Sequence, residues 1–78
     1  MTPELARLNR AAVLYVRSDP DKRQAVIGEL GAARKAVTPK CEAGRALVSA
    51  AFTVAVYPRS EAAIDLLEAA YRLVCDHG

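Results

Sequence analysis

The residues able to do chemistry are few and fall into three groups. Cys75-Asp76-His77 places a thiol, a carboxylate and an imidazole in successive positions, donor types that bind zinc or move protons. A closed zinc site needs four ligands, however, and the only other thiol is Cys41. His77 is the sole imidazole and stands next to the last residue, so an exposed terminal side chain is expected there, with no metal and no cofactor. Glu61, Asp65 and Glu68 share one helical stripe, with Arg72 four residues after Glu68 in the orientation that favours an ion pair. That pattern reads as a solvated helix face rather than an acid–base pair. The third group is basic: Arg7, Arg10, Arg17, Lys22 and Arg23, followed by Arg34 and Lys35. Such a cluster attracts an acidic protein surface or nucleic acid, and these seven are the candidate partner-binding residues. Phosphate-binding lysine loops, nucleophile elbows, HExxH and EF-hand loops do not occur. The chain is therefore read as non-enzymatic, with no catalytic residue assigned.

Helices must position these groups. Of the 78 residues 16 are Ala, 53% are hydrophobic, and there are only four Gly, four Pro and no Trp. This composition favours helix and disfavours disorder or a β-sandwich. A chain of this length builds one packed core, so one domain spanning residues 1–78 is expected. Thr2-Pro3-Glu4 has the order of an N-cap, a first helical residue and an acidic first turn. Ser18-Asp19-Pro20-Asp21 and Thr38-Pro39 repeat that order, and Ser60 follows Pro58 as a fourth cap. The punctuation predicts helices over residues 3–17, 20–37, 39–57 and 61–76. Residues 52–57 alternate β-branched side chains as a strand would, but Glu42, Arg45, Ser49 and Thr53 form one polar stripe at helical spacing, and helix is preferred.

The expected fold is thus all-α, a four-helix bundle of two helical hairpins. A duplication is one origin for it. Ile27-x-x-Leu30-x-Ala32-Ala33-x-Lys35-x-Val37 recurs as Ile64-x-x-Leu67-x-Ala69-Ala70-x-Arg72-x-Val74, and Thr2-Pro3 as Thr38-Pro39. In an antiparallel second hairpin Cys41 and Cys75 lie equally far from Pro58 and so level with each other. Helix axes sit further apart than a disulfide spans, so two unbridged, mostly buried thiols are expected.

Charge and apolar surface give the functional leads. Net charge is +2, yet residues 1–59 carry ten Lys and Arg against five acids, and residues 60–78 one Arg against four acids. The last two helices are apolar around most of their circumference, beyond the stripe of about 100° that a surface helix needs. Surface of that kind finds a partner, and a homodimer through the third or fourth helix is expected. Leu67 and Tyr71, opposite the acidic stripe, are expected to pack against residues 50–54.

Two short resemblances add to this. Phe52-x-x-Ala55-x-x-Pro58 resembles the end of a tetratricopeptide repeat over seven residues, without that family's Trp and Leu-Gly positions. Leu30-Gly31 with Val37 resembles the turn and recognition-helix core of helix-turn-helix proteins, which implies that Arg34 and Lys35 face DNA. The chain departs from that pattern at Ile27, where the family has Ala, and at Pro39-Lys40, which interrupt a recognition helix.

The sequence reading is therefore a small non-catalytic protein–protein interaction module. An adaptor, an assembly subunit or an inhibitor occupying a surface on a larger complex fits it, the last being a role of small phage and bacterial counter-defence proteins. The alternative is a helix-turn-helix-like DNA-binding regulator. No membrane segment and no leader are read in the sequence, and a cytoplasmic location is expected.

Overall fold

A computed structural model describes residues 2–77, the His77 side chain excepted. It contains four helices, α1 (Pro3–Arg17), α2 (Arg23–Lys35), α3 (Glu42–Val56) and α4 (Ser60–His77), and no strand among the described residues. The strand-like run 52–57 is helical through Val56. Each helix packs against its two neighbours in ring order, and α1 also touches α3 across the diagonal. Asn9 Nδ2 donates to the Ala70 carbonyl at 2.9 Å, tying α1 to α4, and Arg7 pairs with Glu29 across α1 and α2. The radius of gyration, 11.1 Å, matches the ~11.5 Å of one packed unit of this length.

Local chemistry explains α1 well. Thr2 Oγ1 accepts from the Leu5 amide at 3.2 Å, Pro3 occupies the first turn, and Glu4 faces the positive end of the helix dipole. At the other end Ser18 takes the Leu14 carbonyl with both its amide and its hydroxyl. Arg23 then donates Nε to the Tyr15 carbonyl at 3.2 Å and Nη2 to the Val16 carbonyl at 3.1 Å. Carbonyls that a helix terminus leaves open are thereby closed by a side chain from the next helix.

The other three starts differ from the sequence reading. α2 begins three residues after Pro20, because the Asp19 carbonyl accepts from both Lys22 and Arg23 and holds residues 19–22 in a turn. Asp19 therefore serves through its backbone, and the N-cap of α2 is Lys22, which makes no side-chain cap bond. At the C-terminal end α2 stops at Lys35, two residues earlier than expected. α3 does not open on Thr38-Pro39. Its N-cap is Cys41, in an extended conformation, whose Sγ accepts from the Gly44 amide at 3.3 Å, the role a serine hydroxyl usually fills. Pro39 instead folds back over the first turn of α3, so close that a Cβ on Gly44 would stand 2.7 Å from the Pro39 Cβ. In α4 the Ala63 amide bonds to the Arg59 carbonyl, which makes Arg59 the cap and Ser60 the first helical residue.

The core is half alanine. Leu5, Leu8, Ala11, Ala12 and Tyr15 enter it from α1, Ala43, Leu47, Ala51 and Val54 from α3, and Ala62, Ala63, Leu66, Ala70 and Leu73 from α4. α2 supplies only Leu30 and Ala33 as fully buried residues. The seat of α4 is one residue off the expected register: Leu66 is wholly buried, whereas Leu67 is half-buried and Tyr71 lies outside the core altogether. The near-repeat does not share an environment either. Ala33 and Ala70 are both buried, but Leu30 is buried and Leu67 is not, and Val37 is half-buried where Val74 is exposed.

Candidate interaction surfaces

Glu61, Asp65 and Glu68 are exposed as expected, Cys75 and Asp76 are exposed, and the His77 side chain lies outside the described residues. Among the described residues no group of three or more His, Cys, Asp or Glu side chains could hold a metal ion. Cys41 and Cys75 are not bridged, and Cys75 departs from the expected burial: it is exposed, because helical spacing sets it on the side of α4 opposite the buried Leu66 and Leu73. The depressions in the surface are open grooves between helices. The one between α3 and α4 is lined by Ser49, Thr53, Asp65, Glu68 and Arg72 over a floor of alanines.

The seven basic candidates are not one cluster. Arg7 is held by Glu29, its Nε 2.8 Å from Oε1. Arg23 is spent on the α1 carbonyls and lies over the Tyr15 ring, 5.4 Å from the centroid. Arg10 and Arg17 sit seven residues apart on the exposed side of α1, and Lys22 lies in the turn before α2. Arg34 crosses to α3 and stacks on Phe52, 5.2 Å from the ring centroid, with Lys35 exposed beside it in the chain. Leu30 and Gly31 lie inside α2, so the turn that the helix-turn-helix resemblance requires is not there; Arg34 and Lys35 belong to the last turn of that same helix.

Composition signalled an excess of apolar surface, and the structure locates it. Leu14, Phe52, Val56, Tyr57, Ile64, Tyr71 and Val74 are each 47–61% exposed. Single exposed leucines or valines are ordinary, but contiguous ones are not. Two groups are contiguous by helical spacing. On the α2–α3 side Phe52 and Val56 stand four residues apart on α3, and Arg45 is one heptad before Phe52. Arg45 reaches back to the Lys40 carbonyl at 3.1 Å. Together with Arg34 over the Phe52 ring, this side presents an aromatic among cations, in which the guanidinium sits over the negative ring face.

On the α1–α4 side, Ile64, Leu67, Tyr71 and Val74 follow one another at intervals of three and four along α4, a coiled-coil-like seam. Leu67 and Tyr71 are not the seat of α4: the core takes Leu66, Ala70 and Leu73 in the row next to them, and the seam is left outside. Neither Phe52 with Arg34 nor the Ile64–Val74 seam was assigned as a site from the sequence. The available signal was the width of the apolar arc on α3 and α4, which shows that some face is left over and not which one. No protein-family model, curated protein or solved structure matches this chain.

Proposed function

We propose that this protein is a non-catalytic interaction module that binds another protein. The observation that carries the reading is the exposure of seven large apolar side chains in a chain of 78 residues, five of them, Phe52, Val56, Ile64, Tyr71 and Val74, gathered on two sides of an otherwise well-filled bundle. Exposed apolar area of this kind is stabilised by a partner and costs solubility without one. The α2–α3 side fits a foreign partner best. Phe52 is the kind of aromatic anchor that dominates interface energetics; Arg34 lies over its ring, and Arg45 is exposed one heptad before it on α3. The chemistry that answers such a surface is an acidic protein segment carrying one or two apolar side chains. An adaptor, an assembly subunit or an inhibitor that covers a surface on a larger complex would use it in the same way.

The test is capture by the immobilised full chain, compared with its Phe52→Asp and Arg34→Ala variants. A protein retained by the parent and lost with both substitutions supports the reading, given unchanged far-UV circular dichroism. Retention of nucleic acid, abolished by moderate salt, would favour the DNA-binding alternative instead. Equal retention by parent and variants would remove the α2–α3 side from consideration.

A further inference from the structure

The α1–α4 side carries a pattern that is complementary to itself. Its centre is apolar: Ile64, Leu67, Tyr71 and Val74 from α4, beside the half-buried Ala6 and Val13 of α1. Its two outer edges have opposite charge. On α1 the edge away from α4 carries Arg10 and Arg17; on α4 the edge away from α1 carries Glu61 and Glu68. The assignment of edges follows from the contacts. α1 meets α4 through Asn9 and α2 through Arg7; Arg10 lines the α1–α2 groove beside Arg7 and Leu14, and helical spacing puts Arg17 on the same line one heptad on, across Ala6 and Val13 from α4. On α4 the α3 groove is lined by Ala62, Asp65, Glu68, Ala69 and Arg72; of these Glu68 is by helical spacing the nearest to the seam, and Glu61 stands one heptad before it on the same line.

Spacing and level match as well as sign. Arg10 and Arg17 are one heptad apart, as are Glu61 and Glu68. The Asn9–Ala70 hydrogen bond fixes the level of the two antiparallel helices. Counting outward from it, Arg10 is level with about residue 69 and Arg17 with about residue 62, within one or two residues of Glu68 and Glu61.

We infer that the α1–α4 side is the interface of a homodimer whose two-fold axis runs parallel to the helices. That axis lays α1 of one protomer over α4 of its partner at the same height. Arg10 then meets the partner's Glu68, Arg17 meets the partner's Glu61, each pair occurs twice, and the apolar seam closes between them. The charges select this axis. A two-fold across the helices would set α1 on α1 and α4 on α4, with arginine against arginine and glutamate against glutamate, which is costly at an interface. The size is also adequate. The Cα block measures 32 × 21 × 18 Å, so one long side projects roughly 600 Å² before side chains are added, the scale of the ~800 Å² per partner of a specific interface. This inference deepens the interaction-module reading by naming one partner as a second copy, and it rests on that reading only where the α1–α4 side is concerned.

The experiment uses two charge-reversed full chains, one with Arg10→Glu and Arg17→Glu, the other with Glu61→Arg and Glu68→Arg. Sedimentation equilibrium of the parent from micromolar to submillimolar concentration is expected to show a monomer–dimer equilibrium. Each reversed chain alone places like charges at every edge contact, and its self-association is expected to weaken by about tenfold or more. Mixed together, the two chains restore opposite charges at all four contacts and are expected to form a one-to-one heterodimer of near-parental affinity. Tyr71→Asp, at an exposed position that leaves the core intact, is expected to abolish the dimer. A parent that is monomeric throughout, or a mixture that pairs no better than its components, overturns the inference. Neither result touches the Phe52 test, which concerns the opposite side of the bundle.

Discussion

Three glycines lie within helices, and the structure predicts opposite outcomes for the same substitution among them. Glycine within a helix ordinarily costs about 0.5–1 kcal/mol relative to alanine, because it loses more backbone freedom on folding. Gly28 and Gly31 of α2 have nothing within 4 Å of where a Cβ would be, so Gly28→Ala and Gly31→Ala are each expected to stabilise by about 0.5–1 kcal/mol. At Gly44 of α3 the added carbon would stand 2.7 Å from the Pro39 Cβ, 3.1 Å from the Cys41 Sγ and 3.4 Å from a Leu5 methyl. Carbon atoms pack best at about 3.5–4.0 Å, so the overlap with Pro39 is close to 1 Å. The Pro39 ring is tied to its backbone and cannot rotate aside. Relief requires the 38–41 segment to move, and with it Cys41, whose Sγ accepts from the Gly44 amide. Overpacking of this kind costs about 1–3 kcal/mol, and a weakened cap adds about 0.5–2 kcal/mol; together they outweigh what alanine gains. Gly44→Ala is therefore expected to destabilise by about 1–3 kcal/mol net. Urea unfolding of the three variants at one protein concentration, followed by far-UV circular dichroism, reads the difference. If Gly44→Ala unfolds at the same midpoint as Gly28→Ala, Pro39 does not fold back onto the first turn of α3.

Other expectations concern register and the α1–α2 link. Leu66→Ala is expected to cost about 2–5 kcal/mol and Leu67→Ala clearly less, since the first is wholly buried and the second is not. Equal urea midpoints for these two, measured with the interface disrupted by Tyr71→Asp in both, would reverse the orientation of α4. Arg23→Ala strips two charge-assisted hydrogen bonds from the end of α1 and is expected to cost about 1–3 kcal/mol. Arg7→Ala removes only an exposed ion pair and is expected to cost at most about 1 kcal/mol in the same unfolding experiment.

Much of this protein was legible in its sequence. Thr2-Pro3-Glu4 encodes the start of α1 through contacts within one turn, and no distant residue is needed to complete them. The exposed stripes of α3 and α4, Glu42 to Thr53 and Glu61 to Asp76, follow from charge at helical spacing, because an ionised side chain pays heavily for burial whatever surrounds it. The number of helices and their all-α packing follow from alanine content and proline punctuation. Proline fixes φ equally well for the first turn of a helix and for a loop, however, so Pro20 and Pro39 read like Pro3 and yet lie outside α2 and α3. Which role is taken depends on where the chain must travel next, and that is set by the packing of α2 against α1 and of the 38–41 segment against Gly44.

The register of α4 belongs to the same class. With apolar residues around most of its circumference, this helix has no single apolar face, and Leu66 or Leu67 would serve equally as its seat until three other helices fix the direction of the core. Seven basic residues that look alike along the chain were likewise separated only in three dimensions. Arg23 is drawn to open carbonyls, Arg7 to a carboxylate and Arg34 to an aromatic ring, while Arg10 and Arg17 stay exposed on α1. Sequence fixes each side chain's charge and reach, but the acceptor it finds is supplied by another helix, and only the tertiary fold brings that acceptor within hydrogen-bonding distance.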